Sequence, residues 1–165
     1  MIKKIYLAAG CFWGVEAFFQ RVKGVVQTQV CYLNGDTEQT TYKQVCAGSG
    51  HVEAVEIVYD SSLLTEEQIW TLYLKIVDPF SVNKQGNDVG VQYRIGFYSN
   101  DQQLLDIFRQ LNKSFENEAK LQTTIEFLPV KNLTIAEEYH QKYLDKNPNG
   151  YCHINLDSVP EKFKK

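Results

Sequence analysis

A short apolar run, Ile5 to Ala9, ends at Gly10-Cys11-Phe12-Trp13-Gly14 and gives way to an amphipathic segment, Val15 to Val22. A strand that feeds straight into a helix commits the chain to a mixed fold from its first residues. The alternation continues without a repeat, a linker or a low-complexity stretch. That first strand is predicted over Lys4–Ala9. Others are predicted at Val25–Leu33, Val52–Tyr59, Tyr93–Ser99 and Thr124–Leu128, all rich in β-branched and aromatic residues. Capping boxes open two helices, Thr65-Glu66-Glu67-Gln68 running to about Val77 and Thr134-Ile135-Ala136-Glu137 running to about Asp145. Asn100 caps a third, whose Leu104, Phe108, Leu111 and Phe115 share one face. The pattern predicts an α+β fold: a two-layer sandwich with helices packed on a mainly antiparallel mixed sheet, around a ferredoxin-like core. Two long irregular stretches remain, Asn34–Gly50 and Asp78–Gly90, and loops of that length inside a compact domain are usually functional.

Cys11 stands where the chain turns from strand to helix. Unpaired backbone N–H groups and the helix dipole favour an anion there, and such a position can draw a thiol pKa from about 8.5 to roughly 3.5–7.5. Gly10 and Gly14 allow close approach of backbone or substrate, while Phe12 and Trp13 set two large apolar faces beside the sulfur. The combination suits a thiolate that attacks a small apolar group. It equally suits a buried small hydrophobe among ordinary core aromatics.

With 165 residues the chain is read as a single domain, 1–165, with a flexible, turn-rich tail from about residue 147. A net charge of -3 gives no electrostatic reason to expect nucleic acid. No apolar run reaches the 18 or so residues of a membrane span. The N-terminus faintly mimics a signal peptide, but its apolar run is too short and cleavage near Ala9 would fall just before Cys11. A cytoplasmic enzyme is expected, and four dispersed cysteines then point to catalysis or redox sensing rather than a structural framework.

Four blocks resemble, in order, those of the A-type peptide methionine sulfoxide reductases. They are Gly10-Cys11-Phe12-Trp13-Gly14, Gly50-His51-Val52-Glu53-Ala54-Val55, Gly86-Asn87-Asp88-Val89-Gly90-Val91-Gln92-Tyr93-Arg94, and a C-terminal pair. That pair is Ala136-Glu137-Glu138-Tyr139-His140-Gln141 with Asn147-Pro148-Asn149-Gly150-Tyr151-Cys152, so the similarity runs from about Lys3 to about Asn155. The chain departs from the pattern in one region. Cys31-Tyr32-Leu33-Asn34 stands for the usual Gly-Tyr-Ala-Gly, Gln39-Thr40-Thr41-Tyr42 for Asn-Pro-Thr-Tyr, and the stretch from Cys46 to His51 is a residue shorter. These changes bear on substrate approach more than on chemistry.

The resemblance implies a thiol-dependent reduction of methionine S-sulfoxide, protein-bound or free, that repairs oxidised proteins. Cys11 would attack the sulfoxide sulfur. Glu53 would be the acid, with burial raising its pKa from about 4.3 toward neutrality, although alternation alone cannot assign its face. Tyr42 and Tyr93 would donate to the sulfoxide oxygen. Asp88 would orient a water or polar substrate group, Phe12 and Trp13 would wall the methyl pocket, and His140 would support the site by a hydrogen bond. Cys11 would become a sulfenic acid and Cys152, in the tail, the resolving thiol; thioredoxin or a small dithiol would reduce the resulting disulfide. No bound cofactor or metal is implied, and a monomer is expected. Cys46 reads as structural, Cys31 as buried with no assigned function, and His51 and His153 as solvated polar residues. The alternatives are a cysteine-based redox sensor, a zinc module built from Cys31, Cys46, His51 and Cys152, whose spacing lacks any C-x-x-C pair, and a cysteine hydrolase using Cys11 and His140, for which no substrate groove is legible.

Overall fold

The computed structural model describes residues 1–165. Its strands are β1 (Ile2–Ala9), β2 (Val25–Leu33), β3 (Val52–Asp60), β4 (Lys84–Gln85), β5 (Asp88–Val89), β6 (Ile95–Tyr98), β7 (Glu126–Leu128) and β8 (Thr134–Ile135). Its helices are α1 (Phe12–Gln20), α2 (Tyr42–Cys46), α3 (Glu66–Leu74), α4 (Gln102–Ala119) and α5 (Tyr143–Lys146). Six strands form one sheet in the order β7-β6-β1-β3-β2-β8, antiparallel throughout except for the parallel β6–β7 edge. The expected mixed sheet with helices packed against it is therefore present, and β4 and β5 make a separate small hairpin.

Alternation along the central strands decides which side chains meet the helices. Ile5, Leu7 and Ala9 of β1 and Val55, Ile57 and Tyr59 of β3 enter the larger core, together with Phe18, Phe19, Trp70, Tyr73 and Phe108 from the helices. The opposite face carries a much smaller cluster, including Tyr6, Ala8, Cys31, Leu33 and Ala54, covered by Val130 and Leu133. Glu53 keeps the parity of Val55 and Ile57. It therefore lies on the helix-covered face, where it is 1% exposed.

Several element boundaries differ from expectation. α1 begins at Phe12, because Cys11 itself is the N-cap. α3 has the predicted capping box on Thr65 but stops at Leu74. Asp101, not Asn100, caps α4: its carboxylate accepts the Gln103 and Leu104 amides, while Asn100 Oδ1 accepts the Val130 amide. Tyr93 sits in a 3₁₀ turn (Val91–Tyr93) ahead of β6, and β7 begins two residues later than Thr124.

The capping box at Thr134 does not open a helix. Thr134–Ile135 is a strand paired with Cys31 and Tyr32, followed by a 3₁₀ turn over Glu138–His140 and the short α5. Tertiary partners take the groups a cap would have used: the Thr134 hydroxyl accepts from the Thr40 amide, and the Glu137 carboxylate binds Tyr32 and Tyr42. Within Asn34–Gly50 a capping box on Thr41 makes the unpredicted α2. The tail after Asn147 packs back on the body: Ile154 and Val159 are buried, and the Lys23 and Lys165 amides donate to Phe163 and Arg21 carbonyls.

Candidate active site

β1 ends on Ala9, and Gly10 turns the chain at φ 90 into the N-cap residue Cys11. A side chain at Gly10 would strike Gln85, since a Cβ there would lie 2.8 Å from Gln85 Cβ. This close approach lets the β4–β5 hairpin rest on the strand-to-helix turn. Cys11 is 7% exposed. Directly beneath, the Phe12 amide donates to Glu53 Oε1 at 3.2 Å, while Glu53 Oε2 is buried with no hydrogen-bond partner. A buried carboxylate that meets one amide and no cation holds its proton, and burial, with a contribution from Asp88, raises its pKa to about 8.

The thiol does not show the depressed pKa that a helix N-terminus suggests. Burial pushes Cys11 well above the ordinary thiol range, the Glu53 charge adds to the rise, and only the Trp13 backbone N–H acts in the opposite direction. Desolvation here outweighs the helix end. The Glu53 contribution vanishes when Glu53 carries its proton, so the acid form of Glu53 is also the form that favours a thiolate.

Tyr42 and Tyr93 come from different loops to the same place. Burial and the Glu53 charge raise both phenols, with Cys46 adding to the rise at Tyr42 and Tyr42 itself to that at Tyr93, so both remain neutral donors. Tyr42 opens α2, and its amide donates to Glu137 Oε2 at 2.9 Å; Glu137 Oε1 accepts the Tyr32 hydroxyl at 2.8 Å. One carboxylate thus ties the loop to the sheet.

The aromatic wall is continuous. Phe12 lies 5.6 Å from Tyr32 and 5.3 Å from His140 between ring centroids, and Tyr42 lies 4.5 Å from His140. Trp13 stacks on Tyr143 at 3.8 Å, and its indole N–H donates to His140 Nδ1 at 3.0 Å. His140 is 1% exposed and burial lowers its pKa, so it is a neutral acceptor; it lies in the 3₁₀ turn rather than in a capped helix.

Asp88 reaches the site from the hairpin and accepts the Tyr151 hydroxyl at 3.0 Å. Cys152 follows Tyr151 in the chain, and a Cβ on Gly14 would sit 3.0 Å from its sulfur. Gly14 therefore leaves the space in the first turns of α1 that the second sulfur fills. All nine residues singled out in the sequence are gathered around this turn. The supporting roles of Tyr32, Glu137, Tyr143, Tyr151 and His153 carry no sequence signal, because each depends on a partner distant in the chain.

Three sequence readings need correction. His153 is not solvated: its side chain is 7% exposed and Nε2 bonds the Ala9 carbonyl at 3.0 Å. His51 is fully buried, with Nδ1 2.9 Å from Ser49 Oγ and its ring laid on Gly35, where a Cβ could not fit. Cys46 is exposed on α2 rather than packed, whereas Cys31 is buried and its thiol lies 3.6 Å from the Ala54 carbonyl. No three His, Cys, Asp or Glu side chains gather in a metal-binding group.

Comparison with known proteins places this geometry in context. The family model described as "Peptide methionine sulfoxide reductase" matches residues 3–165. A peptide methionine sulfoxide reductase MsrA from Mycoplasmopsis pulmonis is 58% identical over 165 residues, 100% of this chain and 99% of that protein. Saccharomyces cerevisiae Mxr1 in reduced form superposes with a TM-score of 0.85 at 33% identity, covering 92% of this chain and 88% of that one. A structure of Mxr1 in complex with Trx2 superposes with a TM-score of 0.61 at 21% identity, covering 86% and 84%.

Proposed function

The chain belongs to the peptide methionine sulfoxide reductase family, and from that premise we propose that Cys11 is the nucleophile, Glu53 the acid and Cys152 the resolving thiol. The activity is reduction of methionine sulfoxide to methionine at the expense of thiols. In the first half, the Cys11 sulfur attacks the sulfoxide sulfur as Glu53 passes its proton to the oxygen. Tyr42 and Tyr93 steady that oxygen as charge builds on it. Methionine leaves with both electrons of the reduction, and oxygen and proton remain on Cys11 as a sulfenic acid. Phe12 and Trp13 hold the S-methyl group, His140 fixes the Trp13 indole, and Asp88 orients a polar group at the mouth.

The observation that carries this reading is the buried Glu53 bonded to the amide of Phe12, the residue after Cys11, with its other oxygen unpartnered; burial raises its pKa to about 8. A group that must give up a proton at neutral pH needs such a setting. In the second half, Cys152 displaces the hydroxyl from Cys11 and forms a disulfide, which thioredoxin reduces. Support for thioredoxin comes from the family relative Mxr1, solved with Trx2. The enzyme acts as one catalytic domain over residues 1–165, as a cytoplasmic monomer that repairs oxidised proteins, on the S epimer of free or protein-bound substrate. No helix is long and apolar enough to cross a membrane.

A thiol-dependent assay with the two resolved sulfoxide epimers tests the reading. Wild type is expected to consume the S epimer, Cys11→Ser to release no methionine, and Cys152→Ser to release about one methionine per enzyme. Product from Cys11→Ser in a single turnover would put the nucleophile elsewhere.

A further inference from the structure

The resolving step needs a tail sulfur to be held near a helix turn, yet the tail around it has no regular structure. Residues 151 and 152 belong to no helix or strand, so side chains rather than a backbone ladder must hold them. Two side chains that flank Cys152 do so. Tyr151 is 43% exposed, so burial is not what fixes it; its hydroxyl reaches Asp88 Oδ2 at 3.0 Å. His153 turns inward against Gly10, and its Nε2 bonds the Ala9 carbonyl at 3.0 Å. A carbonyl only accepts, so Nε2 is the donor in this pair.

Both anchors lie on the rim of the Cys11 turn. Ala9 is the last residue of β1, two before Cys11, and Asp88 is on the hairpin that packs on Gly10 through Gln85. Between the anchors the Cys152 thiol lies over Gly14 and donates to the Ile154 carbonyl at 3.1 Å. Gly14 is three residues after Cys11 in the first turn of α1, so the sulfur sits against the turn that Cys11 caps.

We propose that Tyr151 and His153 are positioning residues for recycling: by gripping Asp88 and the Ala9 carbonyl on either side of Cys152, they present its sulfur to Cys11. The inference rests on the reading of Cys152 as the resolving thiol. In the step served, the Cys152 sulfur attacks the Cys11 sulfur and the Cys11 S–O bond breaks. Hydroxide leaves and takes the Cys152 thiol proton, forming water. Cys152 sulfur is oxidised and Cys11 sulfur is reduced. Asp88 then has a second duty beyond the substrate, as the fixed point to which the tail is tied.

The test separates the two half-reactions in Tyr151→Phe, His153→Leu and His153→Gln, the last keeping an N–H donor. In single turnover, methionine release is expected at the wild-type rate in all three. Formation of the Cys11–Cys152 disulfide is expected to slow about 5- to 10-fold in Tyr151→Phe and His153→Leu. Dimedone-labelled Cys11 rises in step, and His153→Gln recovers most of the loss. Disulfide formation at the wild-type rate in both Tyr151→Phe and His153→Leu overturns the latch and leaves Cys152 as the resolving thiol. Slowing of methionine release by the same factor also overturns it, because the residues would then serve the sulfoxide step. Wild-type peptide maps pairing Cys11 with Cys46 or Cys31 would instead overturn the resolving role, and the latch with it.

Discussion

The Phe12 amide and the Glu53 carboxylate meet at 3.2 Å, an arrangement that satisfies one carboxyl oxygen and leaves the other buried with no partner. The first residue of a helix and the second residue of a strand far along the chain thus share one proton-dependent contact.

This contact sets a pH dependence. Single-turnover methionine release is expected to decline as pH rises through about 8, where burial lets Glu53 lose its proton. Glu53→Gln should lower the rate by about 10²–10⁴-fold and abolish that limb. Stability follows the same sign. A pKa raised on folding gives stability that is fully present below the unfolded value of 4.5 and lost as pH rises through about 8. Denaturant melts from pH 5 to 9 should show wild type losing stability relative to Glu53→Gln.

Tyr42→Phe and Tyr93→Phe should each slow methionine release by less than Glu53→Gln, because either phenol continues to donate when the other is gone. The double variant should lose more than the product of the single losses. Stopped single-turnover assays on the three proteins check this.

Gly14→Ala should separate folding from recycling. Alanine is the better helix former, by roughly 0.5–1 kcal/mol. Its Cβ would stand 3.0 Å from Cys152 Sγ and 3.3 Å from Ile154 Cδ1, so the tail must shift. Thermal stability should hold or rise, the first methionine should be released normally, and thioredoxin-coupled turnover should fall.

His140→Leu removes the acceptor of the Trp13 indole N–H in a half-buried aromatic wall. A fully buried donor left unpaired costs about 1–3 kcal/mol, and partial burial places this one at the low end of that range. Urea titration should show that loss, and the KM for sulfoxide should rise more than kcat falls. Burial depresses the wild-type His140 pKa, so it lends stability above about 6.5 that is lost on acidification. The variant should lack that part of the acid sensitivity.

Much of this was legible in the sequence where one local rule acted alone. β2 runs over Val25–Leu33 as β-branched and aromatic alternation predicts, and Thr65 caps α3 through the box its spacing announces. Thr134 shows the limit. It opens the same Thr-x-x-Glu/Gln pattern, but Tyr32 and Tyr42 capture Glu137 and β2 captures the backbone, so a strand forms. Glu53 could be placed in a strand from sequence but not on a face, because only the register against Tyr32 and the covering helix decide which side is dry. At Cys11 the helix end is visible in the sequence but the depth of the thiol is not, and burial outweighs the dipole there.

The tie that Glu137 makes between Tyr32 and the Tyr42 amide has an effect on what the surrounding loop can become. Tyr42 is anchored to the sheet from its own backbone, so it does not depend on the stretch that precedes it. Asp36 to Gln39, all exposed, form a span whose length and composition can drift without the change being transmitted to the phenol. A catalytic side chain carried on a loop thereby gains the insulation of one carried on a strand. The unusual residues of this region become variations in the approach to the site, made on the far side of a fixed support.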